Sequence, residues 1–269
     1  MNKVVIYSFL AVLAFVMIFP FLWMFSSAVK PMAEIFSSPP HLIPKEFKWE
    51  NFIYVWERAH LGRVFKNSLI YAGGSAILSL FITVITAFGF AKYNFFGKNI
   101  LFLLFLVTIM VPVESLMVPL FIILNKIGWL NTYQGLILPR VVSVFGIFLL
   151  RQHFMSIPND LLDAARIDGT SEWGLLTRIM IPLSKPVLAV VALFNFLWRW
   201  NELMWPLIVA TKQENYTIQV AISSFQQQFF IEWNYLMATV CLSIIPLFAL
   251  FMYAQRYFIK GVTLTGLKN

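Results

Sequence analysis

The sequence predicts an all-α integral membrane protein with six transmembrane helices. Of its 269 residues 60% are hydrophobic and 12% charged, against roughly 45–50% and about 25% in a soluble domain. Six apolar runs reach the length of about 20 residues that a helix needs to cross about 30 Å of hydrocarbon. Lipid offers a backbone N–H no partner, so long, nearly uncharged runs must bond within themselves as helices.

The first run, Val4 to Phe25, follows Lys3 and precedes Ser26, Ser27 and Ala28, which resemble a signal-peptide cleavage region. It exceeds the about 7–15 residues of a signal h-region and reads as a retained helix. The segment Lys30 to Lys66 carries six basic and four acidic residues, with Trp49, Tyr54 and Trp56 among them. That is the composition of a helix lying at the bilayer surface.

The remaining runs are Asn67 to Ala91, Ile100 to Leu124, Tyr133 to Leu150, Val187 to Val209 and Tyr235 to Tyr257. Pro112, Pro119, Pro206 and Pro246 each remove a helical hydrogen bond and predict bends. Lys92 and Lys98 after the second run, and Arg256, Lys260 and Lys268 at the end, place both termini on the cytoplasmic side. No fixed-period repeat divides the chain, so residues 1–269 read as one transmembrane domain.

Composition also narrows function. The net charge of +8 is scattered, which excludes a nucleic-acid partner. Cys241 stands alone, and His41, His60 and His153 lie too far apart to predict a metal site by spacing. No nucleophile–base pair stands out, so no catalytic residue is expected.

The long connection between the fourth and fifth runs, about 151–185, differs from the rest. Pro158 suits a first helical position, and Asp160 and Asp163 favour the positive end of the helix that follows. Leu161, Leu162, Ala164, Ala165 and Ile167 supply its apolar side. Gly169 sits where a helix ends in a left-handed turn, and Thr170 or Ser171 can cap a second helix running to about Met180, limited by Pro182 and Pro186. These signals predict a helix–turn–helix elbow on the cytoplasmic face. Physical features alone leave open whether it rests on headgroups or docks a partner.

Asp163-Ala164-Ala165, three residues, Gly169, nine residues, Ile179, one residue, Ile181 and Pro182 resemble the EAA signature of ABC importer permease subunits. That signature reads E-A-A, three residues, G, nine residues, I, one residue, L-P; Asp replaces Glu and Ile replaces Leu. The stretch from Pro158 to Pro186 is similar to the carbohydrate branch, in particular the smaller maltose-permease-like subunit. Asn67-Ser68-Leu69, Val111-Pro112 with Pro119, Trp200-Asn201 with Pro206-Leu207, and Phe258 to Thr263 extend the likeness along the chain.

The resemblance implies a bacterial inner-membrane subunit of a sugar importer, with a second permease subunit, a cytoplasmic ATPase dimer and an extracytoplasmic solute-binding protein as partners. It implies that Asp163, Ala164, Ala165, Asp168 and Gly169 couple to the ATPase. This chain lacks a G-x-x-x-x-G-K-[ST] phosphate cradle, since Gly97-Lys98 has neither the upstream glycine nor the hydroxyl. ATP and magnesium are thus expected on the partner, with no cofactor here.

In the fifth run, Asn195, Trp198, Arg199, Asn201 and Glu202 bring polarity to membrane depth, where a charge costs about 2.5–3.5 kcal/mol or more and turns to the bundle interior. Arg199 and Glu202, three apart, can pair. Together with Glu114 and Arg140 they form either a polar wall of a sugar pathway or a network between subunits. The amide-rich segment Thr211 to Asn234, with Gln226, Gln227 and Gln228, is by resemblance the contact with the binding protein. The competing reading is a self-contained secondary transporter or channel with Glu114, Arg199 and Glu202 as an ion relay; it requires inverted repeats, which are not detectable here.

Overall fold

The computed structural model describes residues 3–226 and 230–265, with side chains to residue 256. Among the described residues every regular element is helical, apart from one isolated bridge between Gln226 and Ile231. Helices Lys3–Ala28 (α1), Leu61–Lys92 and the stretch Trp233–Arg256 are each long and apolar enough to cross a membrane. Three bent pairs complete six spans when each pair counts as one: Lys98–Met110 with Val113–Lys126 at 95°, Tyr133–Arg140 with Val144–Ser156 at 48°, and Glu172–Leu183 with Lys185–Trp200 at 85°.

Residue contacts group the chain into two units. The first comprises residues 1–65 and 218–247. Most of α1 from Val4 to Phe25 is exposed, with Ile6, Trp23 and Met24 half-buried, and without a polar face this surface suits lipid. Ser26, Ser27 and Ala28 at its end are buried. Asn51, in the predicted surface helix Glu50–Arg58 (α2), donates from Nδ2 to the carbonyls of Ala28 (2.9 Å) and Lys30 (3.0 Å), tying the end of α1 to α2. Tyr54 stacks on Tyr235 with centroids 4.1 Å apart.

The second unit comprises residues 66–217 and 248–269. Most of Leu61–Lys92 (α3) lies in it, followed by Lys98–Val107 (α4), Val113–Lys126 (α5), Tyr133–Ile137 (α6), Val144–Ser156 (α7), Asn159–Ile167 (α8), Lys185–Trp200 (α9) and Met204–Val209 (α10). One core joins Val84, Ala87 and Phe88 of α3, Leu150 and Phe154 of α7, Leu162 of α8, and Leu175, Leu176 and Met180. A second gathers Tyr71, Leu124, Leu136, Trp205 and Val209. At Gly146 of α7 an added Cβ would lie 2.9 Å from Val191 Cγ1 of α9 and 3.3 Å from Thr83 Cγ2 of α3, so glycine permits this close approach.

Several expectations are corrected. The fifth apolar run is not continuous to Val209: α9 ends at Trp200, and α10 begins at Met204. The break is Asn201, Glu202 and Leu203, so the polar pair that the sequence placed inside the run marks where the helix stops, and apolar residues resume in α10. Pro158 is the cap before α8 rather than its first residue. The second elbow helix passes from Glu172–Gly174 into a π-helical stretch, Leu175–Met180, and continues to Leu183, taking in Pro182. The amide-rich segment expected as a loop contains the helix Ile218–Ser224 (α11), whose Ile218, Val220 and Ala221 are buried.

Candidate functional site

The elbow is built by local signals. Ile167 ends α8, and Gly169 takes φ +82°, a left-handed conformation that costs glycine nothing. Its Cβ position is open, so the constraint is in the backbone alone. Ser171 Oγ accepts from Gly174 N at 3.2 Å and caps the next helix. Leu162 is fully buried and Ala165 packs beside the same core, which anchors one side of α8.

The other side turns outward. Leu161 and Ala164 are exposed, and Ile167 is 87% exposed. The five residues expected to form one apolar side divide between two faces: Leu162 and Ala165 turn to the core, and Leu161, Ala164 and Ile167 turn outward. Asp168 is exposed beside Gly169, and no ion pair among the described residues involves it.

Asp163 is engaged within the elbow: Arg166 Nη1 donates to its Oδ1 at 2.7 Å. The same guanidinium grips Glu172 with Nε to Oε1 at 2.8 Å and Nη2 to Oε2 at 3.2 Å. The Tyr93 hydroxyl, from the turn after α3, donates to Glu172 Oε2. The bond from Arg166, then that from Tyr93, holds the Glu172 carboxyl below its usual range, and the carboxylate raises the Arg166 pKa. Burial, then the bond to Glu172, pushes the Tyr93 phenol up. Lys92 Nζ adds a second tie, donating to Asn159 Oδ1 (2.8 Å) at the start of α8.

A cavity of about 520 Å³ opens where two bent spans break, lined by Val111 at the first break and by Arg140 and Ser143 at the second. Asn195, Trp198 and Arg199 of α9 form its other wall. Trp198 meets Phe145 edge-on at 5.5 Å. Irregular backbone at membrane depth is tolerated where it lines such a space. Asn195 Nδ2 donates to Ser79 Oγ at 3.0 Å, pinning α9 to α3.

Behind the wall lies an ion cluster. Glu202 receives Arg140 Nη2 on Oε1 and Arg199 Nη1 on Oε2, both at 2.9 Å, with side-chain exposures of only 12–17%. Tyr71 OH donates to Glu202 Oε2 at 2.6 Å, and Arg199 Nη2 to the Arg140 carbonyl at 2.6 Å. Two guanidiniums share one carboxylate, and Arg140 Nη1 is buried without a hydrogen-bond partner among the described residues.

Residues 79–264 match the family of binding-protein-dependent transport system inner membrane components, a match that takes in the elbow and the cavity-lining helices. This chain belongs to that family.

The permease is 36% identical over 262 residues to the arabinooligosaccharide transport system permease protein of Halalkalibacterium halodurans, covering 96% of this chain and 94% of that one. It is 33% identical over 245 residues to the diacetylchitobiose uptake system permease protein of Streptomyces coelicolor, covering 90% and 81%. Its fold is similar to a chain in the crystal structure of a bacterial ABC transporter involved in the import of the acidic polysaccharide alginate (TM-score 0.82, 23% identity, 95% and 96% covered). A second likeness is to the bacterial alginate ABC transporter in complex with alginate pentasaccharide-bound periplasmic protein (TM-score 0.69, 15% identity, 93% and 92% covered).

Of the permease residues expected at the site, Asn195, Trp198 and Arg199 meet at the cavity, while Glu202 stands behind it and pairs with Arg199 from outside the helix. Asn201 turns back to donate to the Leu197 carbonyl at 2.9 Å. Glu114 is exposed in the first turn of α5 and does not line the cavity, although its neighbours Val113 and Leu116 do; negative charge there suits the helix end. Gln226 forms the isolated bridge, and Gln227 and Gln228 lie outside the described residues. Sequence reading missed Tyr71 and Glu172. A tyrosine in an apolar run was the only signal for the first, and Arg166 six residues before Glu172 the signal for the second.

Proposed function

We propose that this chain is one permease subunit of an ATP-driven importer that receives oligosaccharides from an extracytoplasmic binding protein, working with a second permease subunit and a cytoplasmic ATPase dimer. ATP and magnesium act on the ATPase, and both termini of this chain face the cytoplasm. The whole chain serves as one transmembrane domain in this reading.

The elbow carries the proposal. Its inner side, through Leu162 and Leu175, belongs to the same core as α3 and α7, so a force on the elbow reaches the spans. Its outer side presents Leu161, Ala164, Ile167 and Asp168 for docking. Ala164, small and exposed, allows close approach by an ATPase groove, while Ala165 packs on the core beneath it. Coupling needs an element whose position both partners bias, and a rigid elbow rooted in the core provides one. The aromatic and amide-lined cavity suits sugar C–H faces and hydroxyls, and the transport systems of the named relatives support a sugar as cargo.

The test uses the purified complex in proteoliposomes. Ala164→Arg, on the exposed side of α8, is expected to abolish sugar uptake and substrate-stimulated ATPase activity while the subunit remains inserted and assembled. Normal transport by that variant would refute the docking role.

A further inference from the structure

Beyond the importer reading, the turn between α3 and α4 frames a second cleft, of about 630 Å³, lined by Asn94, Lys98, Asn99, Ile100, Arg151 and Met155 among others. We propose that this cleft binds the headgroup of an anionic phospholipid.

The cleft holds two cations and no carboxylate. Lys98 Nζ donates to the Tyr93 carbonyl at 2.7 Å, which uses one of its three protons. Arg151 commits Nε to the Phe90 carbonyl at 3.2 Å, and its guanidinium carbon lies 4.1 Å from the Phe102 ring centroid. The described hydrogen bonds leave its two terminal amino groups uncommitted. Asn94 and Asn99 add amides. A phosphodiester meets these needs: it accepts from both cations at once and cancels their mutual repulsion.

A lipid fits better than a free anion or a protein because of what surrounds the cations. Ile100 and Met155, both at least half exposed, form the apolar lip. The lip continues along α4 through exposed Leu101, Leu104 and Val107, which offers an acyl chain a path starting at the headgroup. Phe96, at the tip of the turn, is fully exposed, as an aromatic anchor at the bilayer interface is. Basic pockets between membrane helices are established headgroup sites. The Tyr93 whose carbonyl binds Lys98 also donates its hydroxyl to Glu172 in the elbow, so bound lipid stands one residue from the coupling clamp.

The test titrates the intact detergent-solubilised complex with phosphatidylglycerol or phosphatidylcholine of matched chains, read by native mass spectrometry. Phosphatidylglycerol is expected to bind about tenfold more tightly than phosphatidylcholine. Lys98→Gln with Arg151→Gln is expected to bring the two lipids within about twofold, whereas Lys98→Arg keeps the preference. Because Arg151 also packs on Phe102, Lys98→Gln alone is measured too and is expected to lose about half of the preference on the logarithmic scale. An unchanged preference in both glutamine variants would overturn the site. So would full displacement of lipid by millimolar inorganic phosphate, which assigns the cleft to a free anion, or a photo-crosslink from position 96 to the ATPase rather than to lipid.

Discussion

Arg166 and Glu172 face each other through two parallel hydrogen bonds, 2.8 Å and 3.2 Å long, across the left-handed turn at Gly169. The pair is exposed enough that its stability is about 0–1 kcal/mol. Its value is geometric, since a bidentate fork fixes the angle between the two arms of the elbow. Glu172→Gln is expected to leave the melting temperature nearly unchanged while reducing substrate-stimulated ATPase activity more than basal activity. The Glu172 carboxyl is held below its ordinary value of 4.5. The pair therefore contributes fully above that value and is lost as pH falls through the lower, folded value. Stimulated activity should show no inflection from Glu172 between neutrality and about pH 5, and equal pH profiles for wild type and Glu172→Gln in more acidic buffer would contradict the clamp.

Gly169 offers a cleaner separation of backbone from contact. Nothing lies within 4 Å of a Cβ built there, so substitution meets no steric wall. Gly169→Ala should cost about 1–2 kcal/mol from the left-handed φ alone, and Gly169→Asn should cost less because asparagine tolerates that region. Uptake should follow the order Gly, Asn, Ala, with Gly169→Pro inactive. Equal activity of Ala and Asn variants would show that the turn is not held left-handed during transport.

The cluster around Glu202 makes an asymmetric prediction. Glu202→Gln leaves two buried guanidiniums without a carboxylate and is expected to destabilise the chain by about 3 kcal/mol. Arg199→Gln leaves Glu202 with Arg140 and Tyr71 and should cost clearly less. Thermal unfolding of the two variants in the same detergent decides; equal shifts would mean that the carboxylate is not the hub.

The apolar runs were legible because lipid imposes one length on every span, and α1, α3 and the stretch from Trp233 fall on three of them. The elbow was legible because Gly169 and Ser171 act on their immediate neighbours. What stayed hidden is what distant chain segments decide. Tyr71 reaches Glu202 across 131 residues, a pairing that no local pattern encodes. Pro112 marked the break before α5 but not its 95° angle, and Pro139, in the 3-10 turn just before the 48° break near Val142, is not among the prolines that predicted bends. Asn201 and Glu202 follow the end of α9 at Trp200, but apolar residues resume from Leu203, so averaged hydropathy ran the two helices together.

Trp198 separates a sugar wall from mere packing. Its indole is about half exposed at the cavity and is held by Phe145 at 5.5 Å and Phe194 at 5.7 Å. Those two rings fix its orientation, so under the proposed function a sugar in the cavity would meet a preset face rather than a mobile side chain. Loss of an aromatic contact of about 0.5–1.5 kcal/mol corresponds to a rise of about 2–10-fold in the KM of uptake for Trp198→Ala. Trp198→Phe, which keeps a ring between the same neighbours, should recover most of it. If the indole only packed the bundle, Trp198→Ala would lower the melting temperature and the maximal rate together and leave KM where it was, because the ring would support the helices equally whether the cavity is empty or filled.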